Sequence, residues 1–362
     1  MAASRHLFSS FDLRGVCFSN RIGLSPMCQY ACAADGLATT WHQVHLGSRA
    51  TGGAGLVVAE ATAVAAEARI SPADLGLWSD AHAAALAPVA AFIDAQGAVP
   101  GIQLAHAGRK GSTQVPWLGR DNVAPGEGGW IVQAPSALPF HPRLAVPRAM
   151  DLQDIKAAIQ GFGRAAGLAA QAGFRYVELH LAHGYLVHQF LSPLSNRRED
   201  DWGGPLPHRV RLARAVARAA RASLPDDVVL AARLSVSDWL QGGWTVEDSC
   251  TLASLLRSDG VDMVVASSGA ILPNSQPPGG VEVQPPLAAR VRGEAGIATG
   301  AVGGICDAAQ AEALVAQGHC DLVFLGRAML HDPYWPLHAA RNLGADERWP
   351  RPYARAVLPR AR

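Results

Sequence analysis

The sequence is poor in several features that mark other classes of protein. Only 17% of its 362 residues are charged, and 31 Lys and Arg stand against 30 Asp and Glu, so no excess of one sign attracts nucleic acid or an anionic membrane. The six cysteines contain no CxxC pair and no iron–sulfur spacing, which indicates reduced thiols. No apolar run is long and continuous enough for a membrane span, and the first residues lack the apolar stretch of a signal peptide, so we expect a cytoplasmic protein.

What the sequence has in quantity is an alternation of short apolar runs with longer Ala-rich segments, which is typical of repeated βα units. Eight strands are predicted, at 21–26, 55–61, 99–106, 176–181, 228–236, 262–268, 297–302 and 321–326. Helices are predicted between them at 79–96, 151–172, 208–223, 245–258, 307–318 and 333–343. Because eight parallel strands close a barrel, we predict an α/β fold, a single (βα)8 TIM barrel over residues 1–362.

The connection at residues 111–150, after the third strand, is unusually long and rich in proline and glycine. Loops of this length are uncommon inside a compact domain and are usually functional. We therefore predict a lid insertion over the barrel mouth, with a solvated excursion as the alternative.

Reactive and polar residues collect where the predicted strands end, which is where (βα)8 barrels carry their chemistry. The residues in question are Cys28, Tyr30, Glu60, Ala61, Thr62, Gln103, His106, Arg109, Lys110, His180, His183, Tyr185 and Arg233. Each has an ordinary structural explanation alone, but six strand ends that converge on one face of a barrel predict an active site.

Two further features point to a phosphate-bearing redox cofactor. Gly303 and Gly304 follow the seventh strand and Arg327 follows the eighth, where barrels commonly bind phosphate through backbone N–H groups, although tight turns are an alternative. Arg233, which alternation places in the barrel mouth, would stabilise negative charge on a reduced flavin.

The motifs SPMCQY (25–30), EATAV (60–64), IQLAHAGRK (102–110), HLAHGYLVHQFLSPLSN (180–196), ARLS (232–235), AVGGI (301–305) and LGRAML (325–330) together resemble the old yellow enzyme family of FMN-dependent ene-reductases. The PMCQY segment is similar to the branch called thermophilic-like. The resemblance implies that NADPH, or NADH, reduces FMN, and that the flavin then passes hydride to an alkene conjugated to a carbonyl or nitro group.

The resemblance also implies roles for individual residues. Those that would bind FMN are Ser25, Pro26, Met27, Cys28, Ala61, Gln103, Arg233, Gly303, Gly304, Gly326 and Arg327, with Cys28 tuning the reduction potential. His180 and His183 would donate hydrogen bonds to the substrate oxygen, and Tyr185 would donate the proton. Tyr30 and Lys110 belong to the substrate pocket.

At the C-terminus, PYAR resembles a segment whose arginine, here Arg355, reaches into the site of a neighbouring subunit. The resemblance therefore implies a homodimer or homotetramer, with 345–362 in contact with the neighbour. The chain departs from the family pattern at Gly304, at 200–209 and in the lid, and these differences concern substrate range and subunit packing.

Two other functions remain open at this stage. A metal-dependent hydrolase on the same barrel would use His42, His45, His106, His180 and His183 as ligands. Against it, Glu60 is the one carboxylate at the predicted mouth, and residues i and i+3 of a strand do not share a face. A non-catalytic flavin-binding or phosphate-binding barrel is the third hypothesis, and His188 is expected to be structural.

Overall fold

The computed structural model describes residues 6–278 and 284–356, and eight parallel strands form its centre. They are β1 (Ile22–Leu24), β2 (Leu56–Ala63), β3 (Val99–Ala105), β4 (Tyr176–Leu181), β5 (Val229–Ser235), β6 (Met263–Ser267), β7 (Ala298–Val302) and β8 (Leu322–Leu325). β8 pairs with β1, with Phe324 opposite Gly23, and this pairing closes the barrel. The predicted TIM barrel is confirmed, with every strand end within two residues of its predicted position.

The helices that surround the barrel are α1 (Thr40–Thr51), α2 (Asp80–Ala95), α3 (Leu152–Gln171), α4 (Leu186–Leu191), α5 (Leu206–Arg209), α6 (Arg211–Ser223), α7 (Val246–Ser258), α8 (Pro285–Ala295), α9 (Ala308–Ala316), α10 (Arg327–His331) and α11 (Trp335–Leu343). All six predicted helices are confirmed, although 208–223 begins in the short α5 and continues in α6. Helices α1, α4, α8 and α10 were not among these six predictions. α1 contains weak helix formers such as Thr, His and Gly, and α8 opens on two prolines.

Helix α3 shows how the sequence specifies an outer element. Asp151 accepts hydrogen bonds from the backbone N–H groups of Gln153 (2.8 Å) and Asp154 (2.9 Å), which caps the helix start. Ile155 and Phe162 lie on the face that packs on the barrel and are fully buried. Complete burial of a side chain of this size contributes about 1.5–3 kcal/mol.

An antiparallel hairpin, Phe11–Leu13 with Val16–Phe18, packs against the N-terminal end of the barrel. The Phe18 ring meets the edge of Tyr176 at 6.4 Å, inside a cluster with Leu56, Val229 and Phe324. This end of the barrel interior is filled by side chains, and we therefore look for the ligand site at the C-terminal ends of the strands.

Residues 111–150, all described, form no α-helix. They contain two 3₁₀ turns, Pro116–Leu118 and Pro125–Glu127, and a parallel pair of short strands, Gln133–Ala134 and Arg148–Ala149. The segment lines a cavity together with Tyr185, as described below; its function as a lid stays a prediction.

Two smaller expectations concern cysteines and membranes. All six cysteines are free thiols, in agreement with the sequence. Within 6–278 and 284–356, no helix has the length and apolar character needed to cross a membrane.

The last six residues of the predicted subunit-contact segment, 357–362, lie outside the described residues.

Candidate active site

The HLAHGY segment leaves β4 in a tight turn that brings three rings together. His183 and Gly184 both have positive φ, +56° and +71°, and a Cβ on Gly184 would collide with the carbonyl oxygen of Ala270. The His180 ring lies 5.0 Å from the His183 ring and 4.8 Å from the Tyr185 ring. The expectation that positions i and i+3 would stay on different faces was wrong here, because the strand ends at Leu181 and His183 turns back toward His180.

Hydrogen bonds assign the protons of the two histidines. The backbone N–H of Ala182 donates to His180 Nδ1 (3.3 Å), which leaves the hydrogen of the neutral ring on Nε2, 3.4 Å from His183 Nδ1. His183 Nε2 lies 2.7 Å from Ser267 Oγ. Burial lowers the pKa of both rings well below the usual value, and Arg233 and Lys110 lower it further. Both rings are therefore neutral N–H donors near pH 7.

Lys110 and Tyr185 stand beside this pair. Lys110 Nζ donates a hydrogen bond to the carbonyl oxygen of His183 (2.9 Å) and lies 5.1 Å from the Tyr185 ring centroid and 4.4 Å from that of Phe140. Burial lowers the pKa of Lys110 to about 7, with further lowering by the charges of Arg109 and Arg120. Burial also raises the pKa of Tyr185 well above 10, so its phenol keeps its proton across the physiological range.

The segment after β1 carries Ser25, Pro26, Met27, Cys28 and Tyr30. Burial raises the pKa of the Cys28 thiol, with additional effects of Asp74 and Glu60, so the thiol is protonated near pH 7. Tyr30 has φ of +52°, uncommon for a residue with a side chain, and meets Trp117 of the 111–150 segment edge-on at 5.9 Å.

Glu60 fixes this segment, a role that the sequence did not reveal. Its Oε2 accepts a hydrogen bond from the backbone N–H of Gln29 (2.6 Å), between Cys28 and Tyr30, and its Oε1 lies 3.2 Å from His42 Nε2. The N–H of Thr39 donates to His42 Nδ1 (2.9 Å), so the ring hydrogen is on Nε2 and faces the carboxylate. His42 therefore acts through Glu60, and both of its ring nitrogens face protein groups.

Gln103 and Arg233 are held by a second buried acid, Glu178. Gln103 Nε2 donates a hydrogen bond to Glu178 Oε1 (2.6 Å), and Tyr176 Oη donates one to Glu178 Oε2 (3.0 Å). Arg233 Nε lies 3.2 Å from Glu178 Oε1; this contact is an ion pair, because its angle does not meet that of a hydrogen bond. The other two guanidinium nitrogens each donate to Ser25 Oγ (3.1 Å). Alternation along YVELHL places Glu178 on the same strand face as Tyr176 and His180, and this signal was available in the sequence.

The glycines after β7 and β8 have the geometry of a phosphate site. Gly303 and Gly304 have φ of +114° and +66°, left-handed conformations that glycine adopts without strain and that are common in backbone anion sites. Gly326 precedes α10, and a Cβ there would find one neighbour within 4 Å among the atoms compared, Met27 Sδ at 3.5 Å. Arg327 is exposed.

These surroundings suit FMN. Arg233 and Gln103 present fixed donors, Ala61 pairs directly with Gln103 after a bulge in β2, and Ser268 Oγ is buried without a partner among the described residues. Arg233, Gln103 and Ala61 would hold the isoalloxazine, and the glycines with Arg327 would hold the phosphate.

The remaining sequence candidates lie elsewhere. Burial lowers the pKa of His45 and of His106 to about 4 in each case, and the N–H of Gly108 donates to His106 Nδ1 (3.1 Å). His188 is structural as expected, since its Nε2 lies 3.0 Å from Asp238 Oδ1. Within the part of the chain that is described, no three His, Cys, Asp or Glu side chains are placed to share a metal ion. Arg355 is exposed in the 3₁₀ helix Arg351–Ala356 and is not among the described residues that line the mouth cavity.

Tyr30, Lys110 and Tyr185 share a cavity of about 420 Å³ with the 111–150 segment, hereafter the mouth cavity. Arg120 and Phe140 line it as well, and the sequence singled out neither of them.

Comparisons with known proteins agree with this geometry. The model of the NADH:flavin oxidoreductase / NADH oxidase family matches residues 6–346. The NADPH dehydrogenase of Geobacillus sp. (strain WCH70) is 45% identical over 343 residues, 93% of this chain and 94% of that one. The NADPH dehydrogenase of Listeria innocua is 42% identical over 351 residues, 97% of this chain and 98% of that one.

Solved structures show the same likeness. A morphinone reductase in complex with tetrahydroNAD superposes with a TM-score of 0.77 at 26% identity, over 96% of this chain and 93% of that one. A 2-naphthoyl-CoA reductase gives a TM-score of 0.83 at 26% identity over 94% of this chain, which spans about half (52%) of that protein. An old yellow enzyme homologue from Zymomonas mobilis gives 0.76 at 25% identity, over 91% of each chain. The resemblance in the motifs is thus confirmed: the chain belongs to the NADH:flavin oxidoreductase / NADH oxidase family and is an FMN-dependent oxidoreductase of the old yellow enzyme type.

Proposed function

We propose that the protein is an NADPH-dependent ene-reductase that reduces C=C bonds conjugated to a carbonyl or nitro group. The observation that carries this proposal is the convergence of two neutral imidazoles and one protonated phenol, from His180, His183 and Tyr185, in a single turn at the end of β4. Relatives named NADPH dehydrogenase support the choice of reductant. FMN held by Arg233, Gln103 and the glycines would supply the hydride transfer that links oxidation of NADPH to reduction of the alkene.

The two histidines act on the oxygen of the substrate. The Nε2 hydrogen of His180 faces His183 Nδ1 and that of His183 faces Ser267 Oγ, and a carbonyl or nitro oxygen would compete for these donors. Hydrogen bonds to that oxygen grow stronger as negative charge develops on it, so they favour the transition state over the bound alkene. Neutral rings suit this task, because they donate without a proton transfer.

Tyr185 supplies the proton to the α-carbon. Its raised pKa makes the phenol a weak acid in the resting site, and transfer becomes favourable as the substrate takes on enolate character. Lys110 Nζ lies 5.1 Å from the centroid of this ring, and in its protonated form it would stabilise the negative charge that forms on the phenolic oxygen.

Tyr185→Phe tests the proton donor. Because general acid catalysis typically contributes about 10²–10⁴-fold, reoxidation of the reduced enzyme by 2-cyclohexenone should slow by at least about 10²-fold. Flavin reduction by NADPH should stay within about twofold of the wild-type rate, since that half-reaction needs no acid. Stopped-flow absorbance of the flavin measures both halves, with Tyr334→Phe, beside Trp349 and outside the site, as the control. Equal losses in both halves would refute the assignment.

The histidine pair has its own test. Replacing both His180 and His183 by Ala should weaken binding of a phenol to the oxidised holoenzyme by about 10–100-fold, since a hydrogen bond to a charged acceptor contributes about 1.5–3 kcal/mol. Titration of the flavin spectrum with phenol measures this affinity, and an unchanged value would exclude their proposed role.

The proposal extends to the lid and the C-terminal segment. We expect residues 111–150 to cover the bound alkene, because this segment lines the mouth cavity. We expect Arg355 to complete the site of a neighbouring subunit in a homodimer or homotetramer, in line with its exposure in its own chain.

A further inference from the structure

The mouth cavity carries more positive than negative charge. Of the described residues that line it, three are basic, Lys110, Arg120 and Arg143, and one is an acid, Asp121; the two arginines keep their charge near pH 7. Lys110 lies at the inner end beside Tyr185, whereas both arginines belong to the 111–150 segment at the rim and are exposed. An exposed cation in a cavity wall keeps its hydrogen-bond donors available to a ligand.

Arg120 is presented by a tight turn. The N–H of Gln114 donates to the carbonyl oxygen of Asp121 (2.8 Å), and Thr113 and Asn122 form an antiparallel bridge, so the chain between them is a short hairpin. Arg120 lies on its returning arm, directly before the closing pair. Arg120 itself has φ of +62°, a conformation that side chains disfavour. Residues other than glycine that are held in the left-handed region are found most often at functional sites.

The guanidinium of Arg120 has no ion-pair partner among the described residues, although Asp121 is adjacent. Its charge instead affects the pKa values of three side chains that line the cavity. After burial and Arg109, it contributes to the low pKa of Lys110, and it opposes the rise that burial causes in the pKa of Tyr30 and of Tyr185. Because Arg120 also lines the mouth cavity, its charge is close enough to act on a ligand bound there.

We propose that Arg120, with Arg143, forms an anion subsite at the rim of the mouth cavity, which binds a phosphate or carboxylate carried by the ligand whose reacting end lies at Tyr185. Guanidinium groups suit this chemistry, because their paired N–H donors match two oxygens of either anion. The inference rests on the proposed function, since that function puts NADPH and the alkene in this cavity in turn. The anion is then the 2′-phosphate of NADPH or a carboxylate on the alkene.

The test uses oxidised holoenzyme and two matched pairs of ligands. NADP⁺ and NAD⁺ differ in the 2′-phosphate, and 4-hydroxybenzoate and phenol differ in a carboxylate. Dissociation constants come from calorimetry and from the flavin spectrum, for wild type, Arg120→Gln, Arg143→Gln and Arg164→Gln. Arg164, an exposed residue of α3 outside the cavity lining, is the control.

The expected result is a loss of about 10–100-fold in the affinity of Arg120→Gln for one or both anionic ligands, as for a charge-assisted hydrogen bond. Phenol and NAD⁺ should bind within about twofold of wild type, and raising the ionic strength should shrink the difference. Loss confined to NADP⁺ identifies the nucleotide phosphate, and loss confined to 4-hydroxybenzoate identifies a substrate carboxylate.

Unchanged affinity for both anions, or an equal loss for phenol, which lacks the carboxylate, would overturn the subsite. Reduction of the neutral 2-cyclohexenone by the wild-type enzyme tests the proposed function separately. If this reduction occurs and both anions bind Arg120→Gln normally, the subsite alone fails. If the enone is not reduced, the proposed function fails, whatever Arg120 binds.

Discussion

At the scale of single residues, Glu178 holds the donors that are expected to meet the flavin ring. One carboxylate accepts hydrogen bonds from Gln103 and Tyr176 and is the ion-pair partner of Arg233. All four side chains are buried, so neither charge has water to compensate for the loss of the other. Glu178 is therefore a positioning residue for Gln103 and Arg233.

We predict that Glu178→Gln lowers the free energy of unfolding by about 2–4 kcal/mol, because it leaves Arg233 as an uncompensated buried charge. The amide also has one oxygen for the two donors Gln103 and Tyr176. Urea unfolding followed by circular dichroism measures the change. Glu294→Gln is the control, since Glu294 forms an exposed pair with Arg290 on α8 and should alter stability little. A stable variant with normal FMN affinity would show that Glu178 is dispensable.

Lys110 makes the stability of the protein depend on pH. Its pKa falls from 10.5 to about 7 in the folded state, chiefly through burial. Between about pH 7 and 10 the unfolded chain therefore binds a proton that the native protein has released, so this group makes stability rise with pH. Below pH 7 the native protein bears the full cost of a buried ammonium group.

Lys110→Met should accordingly be more stable than wild type near pH 6.5, and the advantage should shrink by up to about 3 kcal/mol as the pH rises to 9.5. Urea midpoints at four pH values, with FMN in excess, give the difference. The other lysine, Lys156, is exposed on α3, and Lys156→Met should show no such trend. A difference that is flat with pH would mean that Lys110 keeps an ordinary pKa.

At the scale of elements, the loop after β1 depends on a residue of β2. Two N–H donors, from Gln29 and His42, point at the Glu60 carboxylate, and His42 cannot exchange its ring hydrogen because Nδ1 is occupied by the N–H of Thr39. An amide in place of the carboxylate has one acceptor oxygen, so one donor must lose its partner. The loop that carries Cys28 and Tyr30 is thus specified by a long-range contact.

We predict that Glu60→Gln costs about 1–3 kcal/mol of stability and releases the Cys28 thiol for alkylation. In wild type, burial raises the pKa of this thiol, so iodoacetamide at pH 8 should label Cys17 and Cys306, which are exposed, well before Cys28. Mass spectrometry of the labelled peptides measures the rates. Glu312→Gln also removes an acceptor shared by two N–H groups, those of His6 and Leu7, and should leave Cys28 protected. Unaltered Cys28 labelling in Glu60→Gln would contradict the role of Glu60.

The elements that could be predicted are those whose signal is local. The barrel strands are apolar runs with sharp polar ends, and α3 has a regular apolar face with an acidic cap, so both follow from neighbouring residues. Helix α1 has no such pattern and forms because the barrel packs against it. The i, i+3 argument for His180 and His183 failed because a positive φ at His183 cannot be foreseen from a non-glycine residue.

The same distinction applies to the site. Residues within motifs lie at the strand ends as predicted. His42, however, acts through Glu60, and the proposed anion-binding residue Arg120 is positioned by a hairpin in the 111–150 segment, where no motif exists. Contacts between distant parts of the chain decide these roles. Glu178 was predictable in part: the alternation of side chains along β4 places it on the correct face of the strand but does not reveal its three partners.

At the scale of the whole molecule, closure of the barrel brings the two ends of the sequence to one site. β8 pairs with β1, so Gly326 lies against Met27 although about 300 positions separate them in the chain. The predicted phosphate site at Gly303, Gly304 and Arg327 and the predicted ring site at Ser25 and Arg233 are thereby joined. FMN bound across both should stabilise the closed barrel, because a ligand that binds only the folded state adds to the free energy of unfolding.

We therefore predict that FMN at 100 times its dissociation constant raises the free energy of unfolding of the apoprotein by about 2.7 kcal/mol. Riboflavin, which lacks the phosphate, should stabilise it less at the same concentration. Arg327→Gln should weaken FMN binding by about 10–100-fold through loss of one charge-assisted contact and leave riboflavin binding unchanged. Arg164→Gln, on the outer face of α3, should retain the wild-type preference for FMN. Calorimetric titration of the apoprotein with both flavins measures these affinities. If Arg327→Gln loses affinity for riboflavin and FMN alike, Arg327 stabilises the fold at the start of α10 and does not bind the phosphate.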